Sequence, residues 1–335
     1  MSTASAPAIR PCVPVGTMRA GVITAPGRVV LEERPIPCPG PGQVLIRLEG
    51  CGVCGSNIPA WQGREWFSYP LDPGQPGHEG WGAIEAVGEG VTGIGVGERV
   101  AALSYNAFAE YDVANAACVV PLPMPGPFPA EPFGCAINAF ERCGIRPGQT
   151  VAIVGYGFFG ALLGQLAKNA GARTIAVARR ANALKTACSL GIESALPLED
   201  HASVIERVRR LTRGRMCEVV IEAAGAQETL DLATQLAAER GRLVITGFHQ
   251  DGPRTIDMFT WNWRGLDVIN AHERDPAVYT RGMREAVRAV AAGRLNPTPL
   301  YTHMFPLERL AEALDTAARR PEGFMKALVI TGASA

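Results

Sequence analysis

The rhythm of apolar and polar positions changes once along this chain, near Phe140. Before that point, short valine- and glycine-rich runs occupy 18–24, 29–33, 43–49, 81–87, 99–103, 107–113 and 119–122, with the turn-forming pair Pro26-Gly27 between the first two. Short strand-like runs at close spacing predict a hairpin followed by a partly closed β-barrel. After Phe140 the apolar runs 151–154, 174–177, 219–222, 243–246 and 268–270 no longer alternate with polar residues, as expected of strands buried on both faces. Helical patterns separate them; within 161–170, Leu162, Leu163, Leu166, Ala167 and Ala170 fall on one face. Strand and helix in alternation predict a doubly wound parallel sheet, so the fold class is α/β. Residues 300–305 return to strand-like composition, 306–317 have amphipathic helical spacing, and 326–331 read as a last strand. The tail is therefore expected to rejoin the first domain. That domain would comprise 1–139 and 297–335, with 1–16 a flexible arm, and the second would span 140–296.

A length of 335 residues agrees with two domains, since it exceeds what one hydrophobic core comfortably fills. The 32 basic residues match 32 acidic ones, which argues against a nucleic-acid or anionic-membrane surface. The apolar stretch 151–178 is interrupted by Gln165, Lys168, Asn169 and Arg173, so it does not read as a membrane span. The start of the chain is rich in Ser, Ala and Pro and lacks the basic and then apolar order of a secretory signal. Nine irregularly spaced cysteines do not suggest a disulfide framework, and a reducing cytoplasm is the expected compartment.

Two groups of residues carry chemistry. Gly50-Cys51-Gly52-Val53-Cys54-Gly55-Ser56 is followed by Gly77-His78-Glu79-Gly80, so a thiolate, an imidazole and a carboxylate recur among glycines. These are the ligand types zinc prefers, and a site of three or four of them can leave one position open to substrate. Gly155-Tyr156-Gly157-Phe158-Phe159-Gly160 follows the apolar run 151–154 and opens a helical pattern, the context of a dinucleotide-binding turn. Gly155 and Gly157 would permit the tight turn and the approach of pyrophosphate, and Gly160 would let the helix pack on the strand. The free N–H groups at the helix start, Phe158 and Phe159, would face the phosphates. At the end of the next strand, an acid would bind the ribose of NAD and repel a 2′-phosphate; the chain has Ala178 there, then Arg179 and Arg180. Lost repulsion and two guanidinium groups favour NADP(H) over NAD(H), against the plainer reading of a solvated basic turn.

With both groups in place, the chain resembles the medium-chain dehydrogenase/reductase superfamily, in its zinc alcohol and polyol dehydrogenase branch. The resemblance runs from about Met18 to the end. It includes Gly-Val-Cys-Gly-Ser at 52–56, Gly-His-Glu-Gly at 77–80, Gly-Glu-Arg-Val at 97–100, Ala-Glu-Tyr at 109–111, Glu131-Pro132 and the turn at 155–160. It implies a GroES-like barrel as catalytic domain, a Rossmann cofactor domain and an active site in the cleft between them. It further implies Cys54, His78 and Glu131 as zinc ligands, Glu79 as a fourth or exchanging carboxylate, and Ser56 as the first member of a proton relay. Zinc there would polarise the oxygen of an alcohol or ketone during hydride transfer. Lys326, by the same analogy, would reach the pyrophosphate.

Departures from the family pattern bear on the site. Asn57 stands where an aspartate usually orients the zinc histidine, and Pro59 where many relatives carry a proton-passing histidine. Cys135, one helical turn after Glu131, is either a competing ligand or a small buried thiol. Relatives often hold a second, structural zinc in a four-cysteine lobe; no such cluster stands between Arg99 and Glu110, so one zinc per chain is expected. Trp61, Arg64, Trp66 and Phe67 lie where relatives line the substrate cleft, though Trp61 and Arg64 could equally be surface residues; Trp261 to Arg264 and His272 to Arg274 are candidates for the substrate end or, at least as readily, for a subunit edge. The implied activity is hydride exchange between a nicotinamide cofactor and a small secondary alcohol or ketone, a polyol or sugar-derived compound being one candidate. A homodimer or homotetramer is expected, with 266–270 pairing across a two-fold axis. Two other readings remain: a zinc-free quinone or enone reductase, against which Cys54 and His78 stand, and a non-catalytic dinucleotide-binding protein.

Overall fold

A computed structural model describes residues 16–332; of the expected arm over 1–16, only Gly16 lies among the described residues. β1 (Thr17–Ala25) and β2 (Arg28–Pro35) form the hairpin read around Pro26-Gly27. β3 (Gln43–Gly52), the short helix α1 (Ile58–Gln62), β4 (Gly80–Val87), β5 (Arg99–Ala102), β6 (Tyr111–Asn115) and β7 (Val119–Pro121) follow. Then come α2 (Ala130–Cys143), β8 (Thr150–Val154), α3 (Phe158–Asn169), β9 (Arg173–Ala178), α4 (Ala181–Ser189) and β10 (Ser194–Pro197). They lead to α5 (His201–Leu211), β11 (Cys217–Glu222), α6 (Gln227–Leu236), β12 (Ala237–Ile245), α7 (Met258–Arg264), β13 (Asp267–Asn270) and α8 (Pro276–Ala291). β14 (Tyr301–Pro306), α9 (Leu310–Arg319) and β15 (Lys326–Ile330) close the chain.

The mostly antiparallel barrel sheet has the order β14-β15-β3-β4-β5-β7, with β6 also on β3. The last strands do rejoin it: β15 runs antiparallel to β3, with Leu328 opposite Gly52. The second sheet, β10-β9-β8-β11-β12-β13, is parallel throughout. Its order runs outward both ways from β8 and β11, and the crevice at such a reversal is where α/β sheets take ligands. The two sheets share one core: Trp81 and Ala101 of the barrel, Phe133 of α2 and Val151, Ile153 and Ile221 of the parallel sheet belong to one buried cluster. That continuity holds the Cys54 loop and the Gly155 turn in a common frame.

Three details differ from the sequence reading. The segment 107–110 is not strand; Ala107 and Phe108 spend their backbone N–H groups on Gly77 and Gly74, bracing the loop before His78. β10 was not expected, because four residues ending in proline carry too little apolar pattern. Trp61, a candidate for the substrate cleft, is a buried barrel residue whose indole N–H donates to Asp315 Oδ1 at 2.9 Å. Seven described cysteines are free thiols, whereas Cys38 is disulfide-bonded. No described helix is long and apolar enough to cross a membrane.

Candidate active site

Two loops bring the ligand candidates together. Cys54 follows β3, and its backbone N–H donates to Asn57 Oδ1 at 2.7 Å, which starts the tight turn Gly55–Asn57 carrying Ser56. His78 and Glu79 enter β4 from the loop braced by Ala107 and Phe108. A Cβ on Gly52 would lie 1.9 Å from Glu79 Oε2, so glycine there is what lets the carboxylate come against β3. Cys54, His78 and Glu79 each offer a ligand atom within 4.8 Å of the other two. Glu131, in the first turn of α2, stands beside them without joining this compact set; its Oε1 accepts from Cys135 Sγ at 3.1 Å. The cluster thus takes in Glu79 where the sequence reading put Glu131 first.

His78 Nδ1 lies 2.8 Å from the Pro76 carbonyl, which can only accept, so Nδ1 carries a proton and Nε2 is the nitrogen turned towards the cluster. Nε2 is 3.5 Å from Ser56 Oγ. Asn57 does not orient this ring as an acceptor. Fully buried, it donates from Nδ2 to the same Pro76 carbonyl at 2.8 Å, and the backbone takes the place of the aspartate found in relatives. Burial alone would depress the His78 imidazole, but the Cys54 sulfur, Glu131 and Glu79 outweigh it and draw the ring up to about 10. Burial and Glu79, against the pull of His78, leave the Glu131 carboxyl raised. A thiol and two carboxyl groups converge on one imidazole, with the Lys326 ammonium on Glu79, and sulfur, imidazole and carboxylate together are the donor set that zinc prefers.

Lys326, which the family analogy puts at the pyrophosphate, is buried, and its Nζ is 2.6 Å from Glu79 Oε2. The same ammonium lies 4.8 Å above the ring of Phe158, the first residue of α3, so it links the metal-ligand candidates to the nucleotide turn. The sequence reading missed this pairing because nothing in the motifs shows which residue of β15 faces Gly52.

At the nucleotide end, Gly155 adopts a left-handed φ of 99°, and its N–H donates to Val177 O at 2.9 Å. α3 starts without a side-chain cap at Gly157, and a Cβ added to Gly157 would meet nothing within 4 Å. The N–H groups of the first turn, including those of Phe158 and Phe159, are therefore left for a ligand over an open cradle that suits a pyrophosphate. Gly160 is pressed against Gly155, whose carbonyl a Cβ would approach to 2.2 Å. Ala178 ends β9 and is buried; Arg179 is exposed and has no carboxylate partner among the described residues. Arg180 donates instead to the Phe324 carbonyl, which also accepts from Asn182 Nδ2 at 3.3 Å. Arg64 and Trp66 are exposed, and Arg264 donates to carbonyls of Thr234, Gln235 and Ala237, closing the end of α6.

Comparison with known proteins agrees with this arrangement. The family model described as alcohol dehydrogenase GroES-like domain matches 40–124, and that described as zinc-binding dehydrogenase matches 159–291. Sorbitol dehydrogenase of Gallus gallus is 30% identical, over 91% of this chain and 94% of its own length. Among solved structures, a zinc-binding dehydrogenase from Sinorhizobium meliloti 1021 bound to NADP is 26% identical with a TM-score of 0.82, covering 95% of this chain and 100% of that one. Galactitol-1-phosphate dehydrogenase from Escherichia coli is 26% identical with a TM-score of 0.81, over 94% and 100%. A GroES-like barrel joined to a Rossmann sheet, with metal-ligand and dinucleotide motifs in order along almost the full chain, places this oxidoreductase in the medium-chain dehydrogenase/reductase superfamily, where it belongs to the zinc-dependent alcohol and polyol dehydrogenase branch.

Proposed function

We propose that this enzyme moves a hydride between NADP(H) and a secondary alcohol or ketone of the polyol or sugar-derived class, at a single zinc site. The observation that carries the reading is the compact set of Cys54, His78 and Glu79, tied through Lys326 to the start of the nucleotide helix. These three residues would hold the zinc, with Glu131 adjacent as the exchanging carboxylate. Bound there, zinc supplies the positive charge that polarises the alcohol or carbonyl oxygen. Ser56 Oγ, next to His78, would take the hydroxyl proton, and the Gly155 turn with the first N–H groups of α3 would hold the pyrophosphate. The proposed domains are 1–139 with 297–335, and 140–296. A cytoplasmic location fits the seven free thiols, against which the disulfide at Cys38 counts.

A panel of polyols, sugar-derived ketones, simple ketones, quinones and enones tests this reading. Turnover of the alcohol and ketone members should vanish with a chelator and return with zinc. Chelator-insensitive reduction of quinones or enones alone would favour the zinc-free rival. The cofactor choice is tested separately by dissociation constants at fixed ionic strength, since salt weakens the contact. One charge-assisted contact contributes about 1.5–3 kcal/mol, so NADPH should bind roughly ten- to a hundredfold more tightly than NADH. Ala178→Asp with Arg179→Ala should reverse the order.

The enzyme is further proposed to act as a homodimer or homotetramer through its cofactor half. Among the described residues β13 pairs on one side only, with β12, and the neighbouring α7 exposes Phe259 and Trp263, stacked at 6.1 Å and 75% and 78% accessible. Light scattering at micromolar concentration should give a mass of two or four chains; a monomer refutes the assembly.

A further inference from the structure

Most described arginines near a carboxylate are paired with it, among them Arg19, Arg99, Arg254 and Arg281. The cleft between the barrel and the parallel sheet departs from this. Arg320, at the end of α9, extends over the Cys54 turn, where one of its guanidinium nitrogens lies 3.8 Å from the position a Gly55 Cβ would take. The segment that follows is fastened to the end of β9, because Phe324 O accepts from both Arg180 and Asn182. Arg320 therefore faces Arg179 and Arg180 across the cleft. Neither Arg179 nor Arg320 has a carboxylate partner among the described residues.

Their mutual effect has the sign of repulsion, which the Cys54 sulfur offsets in part at Arg320. Arg320 is exposed as a residue, yet local desolvation and then Arg179 hold its guanidinium below its usual range; desolvation, Arg320 and Arg179 do the same to the half-buried Arg180. No carboxylate among the described residues is paired with any of these three guanidinium groups, and such groups suit a phosphate by geometry. The backbone adds a second sign. Arg320 caps α9 in the left-handed region, φ 47°, a position that favours glycine. A side chain held where glycine would sit more easily is the kind of local cost that accompanies a functional position.

We infer that Arg320, carried on the barrel side, closes with Arg179 on the 2′-phosphate of NADP(H), so that both halves of the chain take part in choosing the cofactor. This rests on the NADP(H) reading above and adds a residue from outside the nucleotide-binding sheet. It also assigns the two neighbouring arginines different work: Arg179 meets the phosphate, while Arg180 ties the end of β9 to the 320–324 segment.

The test is equilibrium binding of NADPH and NADH to the zinc-loaded enzyme and to Arg320→Gly, at one ionic strength. Glycine accepts the left-handed backbone, so the variant should fold and melt at the same temperature or higher. Its dissociation constant for NADPH should rise about tenfold or more, while that for NADH stays within about twofold. Arg320→Lys, which keeps the charge but not the planar fork, should fall between. An equal loss for both cofactors would put Arg320 on the shared pyrophosphate and overturn the assignment, as would no loss for either. Failure of the underlying cofactor reading looks different: the unmodified enzyme would itself bind NADH as tightly as NADPH.

Discussion

Replacing Cys54 or His78 by alanine should lower kcat by about a thousandfold or more while leaving the NADPH dissociation constant within about twofold. Both residues belong to the compact set around Glu79, whereas the glycine turn at 155–160 is built from β8, β9 and α3 without them. Losing either should remove most of the metal, and with it the charge stabilisation of the reacting oxygen. Under the proposal, binding of the dinucleotide depends on α3, the end of β9 and Arg320, none of which these substitutions replace. Steady-state rates beside a fluorescence titration of NADPH separate the two effects. A variant that kept a tenth of its activity would contradict a role for the cluster in turnover, and one that lost cofactor binding too would point to a disturbed fold.

Lys326→Met should destabilise the zinc-free enzyme by roughly 3–5 kcal/mol, because it leaves the Glu79 carboxylate buried without its counter-charge. For a domain of this size that corresponds to a fall in melting temperature on the order of 10 °C. The double substitution Glu79→Gln with Lys326→Met should recover much of the loss, since a buried ion pair replaced as a unit costs far less than one broken on one side. Thermal melts of the two variants and the parent after chelation give the comparison. A single variant melting within about 2 °C of the parent would show that water or another cation already compensates Glu79.

Cys54, His78 and Glu79 were legible in the sequence because their ligand types are local to two short motifs, and each motif sits at a strand end whose apolar pattern is plain. The Rossmann half was legible for a related reason: strands buried on both faces leave unbroken apolar runs, and the glycine turn lies between one of them and a helix. Lys326 and Arg320 reach the cleft from more than two hundred residues away, through the register of β15 on β3 and the end of α9. Register across such a gap leaves no trace in local spacing, so neither the pairing of Lys326 with Glu79 nor the place of Arg320 was read from it. Asn57 illustrates another limit. Its side chain suggested a weakened orienting partner for His78, but the partner is the Pro76 carbonyl, and a backbone oxygen has no letter in the sequence.

Zinc content per chain, measured on protein purified without added metal and again after zinc supplementation and removal of excess, tests the central claim most directly. The one cluster of this kind among the described residues, Cys54 with His78 and Glu79, predicts one zinc per chain, lost in His78→Ala. Two zincs per chain, none after supplementation, or one retained in His78→Ala would contradict it.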